Sequence, residues 1–277
     1  MFHRPTSFDD ALAIKARLRS AVTPLAGGTD LIVGLNRGEP LPGEVLDLSA
    51  VGDNAGIESD NGALLLGAGV TWTQLGRLEI DCLARAALSV GGPQIRNLGT
   101  IGGNLATASP AGDGSVALLA LNAEIELSHA RRGSRWLRLA DFFVSYRKTA
   151  LADDELISRI RLPAPAALQG TAWNKIGKRG AVNISLVCAA AARWPDGRIA
   201  LAFGSVAPVP LRAVQTENIV SGQRLTGESI ERAAVRAEAE VQPIDDWRAS
   251  ADYRRAMCRV LTRRLLRQLQ TPQERES

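Results

Sequence analysis

Three cysteines and two histidines are all that the 277 residues provide of the side chains most often used for soft-metal ligation and nucleophilic chemistry. Cys82, Cys188 and Cys258 lie far apart, so neither a disulfide framework nor a C-x₂-C iron–sulfur run can be written, and a reducing compartment follows. His3 sits near the terminus and His129 beside Arg131 and Arg132 in a polar turn, so no zinc set or serine triad can be assembled, and both read as surface residues. No run of five like charges exists to form a nucleic-acid arm, and basic residues exceed acidic ones only by 33 to 29. No stretch approaches the ~20 consecutive apolar residues of a membrane span. The first 25 residues contain no apolar core or cleavage signature, so a soluble cytoplasmic protein is expected. Two nucleotide motifs fail as well. Gly67-Ala68-Gly69 is followed by Trp72 where a third Rossmann glycine is needed, and Gly177-Lys178 has Ala172 where a phosphate loop needs its first glycine.

What remains is a chain with 45% apolar side chains, longer than a common domain of ~100–150 residues. Strands followed by helices, without strict alternation, indicate α+β units. Two or three are expected, and the polar Gly52–Gly56 break and the Pro163-Ala164-Pro165 linker would divide the chain into residues 1–54, 55–168 and 169–277. Ser7 with Asp10 marks a first helix, and Val22–Ala26 and Glu44–Leu48 read as strands. Ala63–Val70 is strand-like, and Thr71 with Gln74 forms a capping box for a helix running to about Leu78. A further helix, Cys82–Val90, ends at Gly91-Gly92. Later strands fall at Glu124–Leu127, Ile157–Leu162, Val182–Ala192 and Arg198–Val206, the last two joined by a Pro195-Asp196-Gly197 hairpin. Two helices close the chain, the second carrying six arginines between Arg254 and Arg267 that predict a basic outer face.

Two glycine-rich segments carry the chemistry. Gly27-Gly28-Thr29-Asp30 lies between a strand and a helix, where backbone N–H groups and a helix start can converge on an anion, although such a turn serves equally as a plain connection. Asn97–Gly114 is the densest glycine and polar stretch. Its core, Gly99-Thr100-Ile101-Gly102-Gly103-Asn104-Leu105-Ala106-Thr107 running on to Asp113, reads as a loop that a ligand orders, with hydroxyls and amides for phosphate and a carboxylate for a sugar hydroxyl.

Pro24–Leu31 together with Pro93–Asn104 resembles the paired FAD motifs of the medium, flavoprotein subunit of molybdenum hydroxylases of the xanthine dehydrogenase and carbon monoxide dehydrogenase type. The resemblance runs from Arg4-Pro5 to Ala251-Asp252-Tyr253-Arg254-Arg255. It implies a two-subdomain FAD-binding fold of the vanillyl-alcohol oxidase type, followed by a C-terminal α+β subdomain with a small antiparallel sheet and helices. It further implies that Leu25, Ala26, Gly27, Gly28, Thr29, Asp30 and Leu31 wrap the pyrophosphate, and that Thr100, Gly102, Gly103, Asn104 and Thr107 hold the phosphates and ribityl chain. Asp113 would meet the adenosine side, Ile157 would pack near a ring system, and Lys175 would lie near the flavin. No residue of this chain is expected to act as acid or base, and none to bind metal. The implied partners are a large subunit with a molybdenum–molybdopterin cofactor and a small subunit with two [2Fe–2S] clusters, as a dimer of heterotrimers. Where such proteins commonly place acidic residues, this chain has Ala181-Val182-Asn183-Ile184, which implies a somewhat higher flavin potential. The alternative reading is an autonomous FAD-dependent oxidoreductase.

Overall fold

The computed structural model describes residues 1–40, 43–180 and 182–275. Helix α1 (Phe8–Leu18) starts where Ser7 Oγ accepts the Asp10 amide, the cap expected from the sequence. Its apolar side, Ala11 and Leu12, packs with Val22, Leu46 and Val51 into a small N-terminal core. Strands β1 (Phe2–His3), β2 (Val22–Leu25) and β3 (Glu44–Asp47) form a parallel sheet in the order β1-β3-β2. Pro24 is tolerated because β2 is an edge strand. The chain leaves β2 through the first glycine segment into the short helix α2 (Leu31–Asn36).

The middle unit is an antiparallel sheet of β4 (Ile57–Asp60), β5 (Ala63–Gly67), β6 (Glu124–His129), β7 (Gly133–Arg138) and β10 (Leu156–Pro163), ordered β4-β5-β10-β6-β7, with a hairpin of β8 (Phe143–Ser145) and β9 (Lys148–Thr149). The outer strands β4 and β7 have no counterpart in the sequence reading, because edge strands exposed on both sides show little apolar alternation. Helices α3 (Trp72–Leu75), α4 (Asp81–Ser89), α5 (Pro93–Leu98), α6 (Ile101–Thr107), α7 (Asp113–Ala120) and α8 (Leu139–Phe142) are threaded between the strands. The capping box at Thr71 and Gln74 forms, and Gly91, at φ +47°, follows α4 as its glycine stop.

The second glycine segment is largely helical, with a loop over residues 108–112. It is the end of α5, all of α6 and the start of α7. Thr100 caps α6 by accepting the Gly103 amide, and a Cβ on Gly102 would lie 2.6 Å from that of Ala68. Part of the glycine content therefore permits close helix-to-strand packing.

The last unit is an antiparallel sheet of β11 (Gly170–Ile176), β12 (Val187–Arg193), β13 (Ile199–Gly204) and β14 (Leu211–Arg212), with α9 (Val214–Val220), α10 (Gly227–Glu240), α11 (Ala251–Leu269) and α12 (Pro272–Arg275). β12 is shorter than expected, beginning at Val187. Every residue of it is buried, because it is covered on both faces: Cys188, Ala190 and Ala192 join the middle core, while Val187, Ala189 and Ala191 face the core of the closing helices. The alanines let both layers approach. Helix α7 is buried at every residue for the same reason, so it shows no amphipathic stripe.

Two expected surface groups turn inward. His129 is 9% exposed, its Nδ1 accepting the Arg131 and Arg132 amides. Arg254, in the first turn of α11, is buried, donating to the Leu186 and Ser205 carbonyls and to Asp246, so the basic face of that helix begins after it. At the C-terminus, buried Arg193 donates to both carboxylate oxygens of Glu274, at 2.6 and 3.0 Å. The guanidinium holds that carboxyl down at about 2 against the opposing effect of burial. A depressed folded-state value contributes stability above the unfolded carboxylate range and loses it on acidification. The melting temperatures of wild type and Glu274→Gln are therefore expected to converge as pH falls from ~5 towards ~2.

Candidate functional site

The two glycine segments meet. A Cβ on Gly27 would stand 1.8 Å from the Leu98 carbonyl oxygen and 2.9 Å from the Gly99 amide nitrogen, so only glycine lets the β2–α2 turn rest on the α5–α6 junction. Thr107 Oγ1 also reaches Asp30 Oδ2 at 3.4 Å. Gly28 adopts φ +68°, and the backbone N–H groups of Gly27, Gly28, Thr29, Asp30 and Leu31 donate to no other described residue. Successive unpaired donors at a helix start are a chemistry suited to an anion. Leu25 and Ala26 lead into it from β2.

Across this turn lies α6. Thr100, Gly103, Asn104 and Thr107 are spaced to share one of its faces. Gly102 is not on that face: it is buried against β5, its amide bonded to the Ala68 carbonyl, and its place is structural. Asn104 Oδ1 is buried with no hydrogen-bond partner, as is Ser115 Oγ in the first turn of α7. Both point to the Gly112–Gly114 segment, and the Asp113, Gly114 and Ser115 amides donate to no described residue. Buried groups of this kind are normally satisfied by a partner, so the cluster is incomplete without a polar ligand or water.

Asp113 and Lys175 were expected at opposite ends of the cofactor. The structure joins them: Lys175 Nζ donates to Asp113 Oδ2 at 2.6 Å, and Ser185 Oγ donates to Oδ1 at 2.6 Å. With Asp113 7% exposed, its carboxylate faces the boundary between the middle and last units. Beyond Lys175 opens a cavity of about 810 Å³, walled by Ser89, Gly91, Arg96, Ile176 and Asn183. Arg96 had been given no role; its Nη1 donates to the Leu88, Val90 and Gly91 carbonyls and secures the C-terminal end of α4. Asn183 also lines the cavity, whereas Ala181 lies outside the described residues. Ile157 is 7% exposed and packs in the middle core.

Burial raises the thiol of Cys82 to about 12 and that of Cys188 well above its usual value. Among the described residues, no group of three His, Cys, Asp or Glu could hold a metal. No helix among them is long and apolar enough to cross a membrane.

A polar track thus runs from the Gly27–Leu31 amides across α6 to Asp113, Lys175 and the cavity. Its backbone donors and hydroxyls are of the kind that meet a phosphate-bearing ligand. The chain matches the FAD binding domain of molybdopterin dehydrogenases over residues 1–165 and the carbon monoxide dehydrogenase flavoprotein C-terminal domain over residues 166–269. It belongs to this family, as an FAD-binding oxidoreductase subunit of the molybdopterin dehydrogenases. It is 31% identical to the carbon monoxide dehydrogenase medium chain of Afipia carboxidovorans, covering 95% of this chain and 94% of that one. It is 30% identical to a xanthine dehydrogenase FAD-binding subunit of Escherichia coli, over 96% and 94%. The crystal structure of a cyanide-inactivated Cu,Mo-carbon monoxide dehydrogenase superposes with a TM-score of 0.89 at 30% identity, covering 96% of each chain.

Proposed function

We propose that this chain holds FAD along the track just described and relays electrons from [2Fe–2S] clusters of a small partner subunit to an external acceptor. The substrate would be hydroxylated at a molybdopterin-bearing large subunit, the whole working as a cytoplasmic dimer of heterotrimers. The observation that carries the reading is the row of five free backbone donors from Gly27 to Leu31, opposed by the Thr100, Gly103, Asn104 and Thr107 face. The amides take the pyrophosphate, the α6 face takes the phosphates and ribityl hydroxyls, and Asp113 with Lys175 marks the ring end rather than the adenosine end. Bound flavin supplies the redox chemistry that these side chains lack. The chain's own work is binding, orientation and exclusion of water.

Gly103 gives the cleanest test. It is exposed, its φ is not positive, and an added Cβ would meet only Thr100 Oγ1, at 3.1 Å, so a larger residue obstructs the ligand more than the protein. Gly103→Val is expected to keep the wild-type melting temperature of the FAD-free protein within a few degrees while FAD per chain falls at least tenfold, read from the visible absorbance after gel filtration. Unchanged flavin content would remove α6 from the site. Bleaching of the flavin by an organic substrate in the absence of partner subunits would favour an autonomous oxidoreductase.

A further inference from the structure

Arg19, at the end of α1, holds a backbone conformation that glycine normally fills. Its φ is 51° and its ψ −123°, the geometry of the first central residue of a type II′ turn. A side chain is strained there, and such residues persist where their surroundings over-determine them, as at ligand clamps and switches. Three contacts do so here. The Arg19 amide donates to the Lys15 carbonyl. Buried Lys15 donates its ammonium to the Arg19 carbonyl at 2.9 Å and to the Val22 carbonyl at 3.2 Å, which ties the turn Arg19–Ala21 at both ends. The guanidinium then reaches out of the N-terminal unit. Its Nε and Nη2 donate to the two oxygens of Asp153, at 3.2 and 2.6 Å, and its Nη1 to Asp154 at 3.0 Å. Among the described residues, Arg19 carries the ion pairs between the N-terminal and middle units. Asp154 is buried and accepts a second fork from Arg132, whose guanidinium holds that carboxyl down at about 2, so it keeps its charge at neutral pH.

An ion pair as open to solvent as that of Arg19 with Asp153 adds little to stability by itself. Its place in the chain gives it another use. Arg19–Ala21 runs straight into β2, and that strand, about 13 Å long, leads to the Gly27–Leu31 turn. Asp153 and Asp154 stand just before β10, whose Ser158 carbonyl accepts the Ala68 amide, and the Ala68 carbonyl in turn accepts the Gly102 amide of α6. One backbone path therefore runs from the ion pair to the amide row and another to α6, the two sides of the cofactor track.

We infer that Arg19 is a positioning residue for FAD: its fork onto Asp153 and Asp154 latches the N-terminal unit to the middle one and so sets the gap between the Gly27–Leu31 amides and the α6 face. This rests on the reading of the chain as an FAD protein.

Arg19→Gly separates latching from stability, because glycine removes the guanidinium and adopts this backbone without strain. The FAD-free variant is expected to melt within a few degrees of wild type or above it. FAD should nevertheless leave the full chain at least tenfold faster, read from flavin fluorescence after dilution. Asp153→Asn leaves the turn untouched, and its carboxylate accepts from Arg19 alone among the described residues, so FAD loss should quicken by about threefold. The double variant should lose FAD no faster than Arg19→Gly, because the pair acts as a unit. A second readout needs no flavin. Spin labels on Arg37→Cys and Ala106→Cys, exposed positions in the two units, report the gap, since all three native cysteines are buried. The FAD-free chain with Arg19 intact is expected to give one narrow distance distribution, and the same chain with Arg19→Gly a broader one. FAD loss at the wild-type rate from both single variants, or an unchanged distance distribution, overturns the proposal. So does faster FAD loss from Arg19→Gly matched by a melting temperature many degrees lower, which would make Arg19 a structural residue only. Should Arg19→Gly fail to fold, Asp153→Asn decides through the same two readouts. A wild-type chain that holds no flavin sinks the FAD assignment, and the label distances still decide whether Arg19 holds the two units together.

Discussion

Gly27→Val is expected to abolish stable FAD binding and to destabilise the protein together. The Cβ of any larger residue would lie 1.8 Å from the Leu98 carbonyl oxygen, and both sides of that clash are backbone, so no rotamer change relieves it. The β2–α2 turn must lift from the α5–α6 junction, which separates the row of free amides from the α6 face that opposes it. Overpacking of this kind costs ~1–3 kcal/mol and occasionally more. Flavin content per chain, measured beside thermal unfolding of the FAD-free protein, checks the claim. The comparison with Gly103→Val is what gives it content. Both variants should lose flavin, but only Gly27→Val should lose several degrees of melting temperature without it. A Gly27→Val protein of wild-type stability would mean that the two segments do not touch.

The second large effect is expected at the ion pair between Asp113 and Lys175. Lys175→Met leaves Asp113, 7% exposed, with only the Ser185 and Ser89 hydroxyls as donors, and an uncompensated buried carboxylate costs about 3–5 kcal/mol. Asp113→Asn strands the ammonium of Lys175, whose remaining bond is to the Ser89 carbonyl at 3.2 Å. The double variant should lose less stability than the two single losses added, because it removes both charges at once. Chemical denaturation of the four proteins closes this cycle. Simple additivity would show that the pair contributes nothing as a pair. The pair also connects α7 of the middle unit to β11 of the last one, so each single variant should loosen the cavity wall and weaken FAD binding besides.

How far the sequence foretold the site depends on the kind of residue. The glycine turn after β2 and the Thr71 capping box were legible because they are local: a strand, a turn and a cap are written in adjacent residues. The resemblance to flavoprotein subunits rested on the same two segments and agrees with the family and fold found. The second segment was not legible as a helix. Its glycines lowered helix propensity locally, and what overrides this is burial of Ile101, Gly102 and Leu105 against β5 and the middle core. The roles of the glycines were equally hidden. Gly27, Gly102 and Gly103 look alike in a motif, yet a Cβ on either of the first two would run into backbone, while one on the third would meet only the Thr100 hydroxyl, at 3.1 Å.

The cavity was the least legible part. Arg96, Lys178 and Asn183 come from two units of the fold, separated by up to 87 positions, and no local pattern in the chain relates them. His129 was misread for a similar reason, since a polar turn carries no mark that its ring will fold inward onto the Arg131 and Arg132 amides.

By itself the sequence determined the class of fold and the strand, turn and cap that stand next to one another along the chain. These follow from composition and from interactions between near neighbours. The tertiary structure alone decided which glycines pack against backbone, that Asp113 pairs with Lys175, and that Arg96, Lys175 and Asn183 line one cavity. Each of these is a contact between residues distant in the chain, and such contacts exist only after the burial of β12 and α7 has brought the middle and last units onto one core.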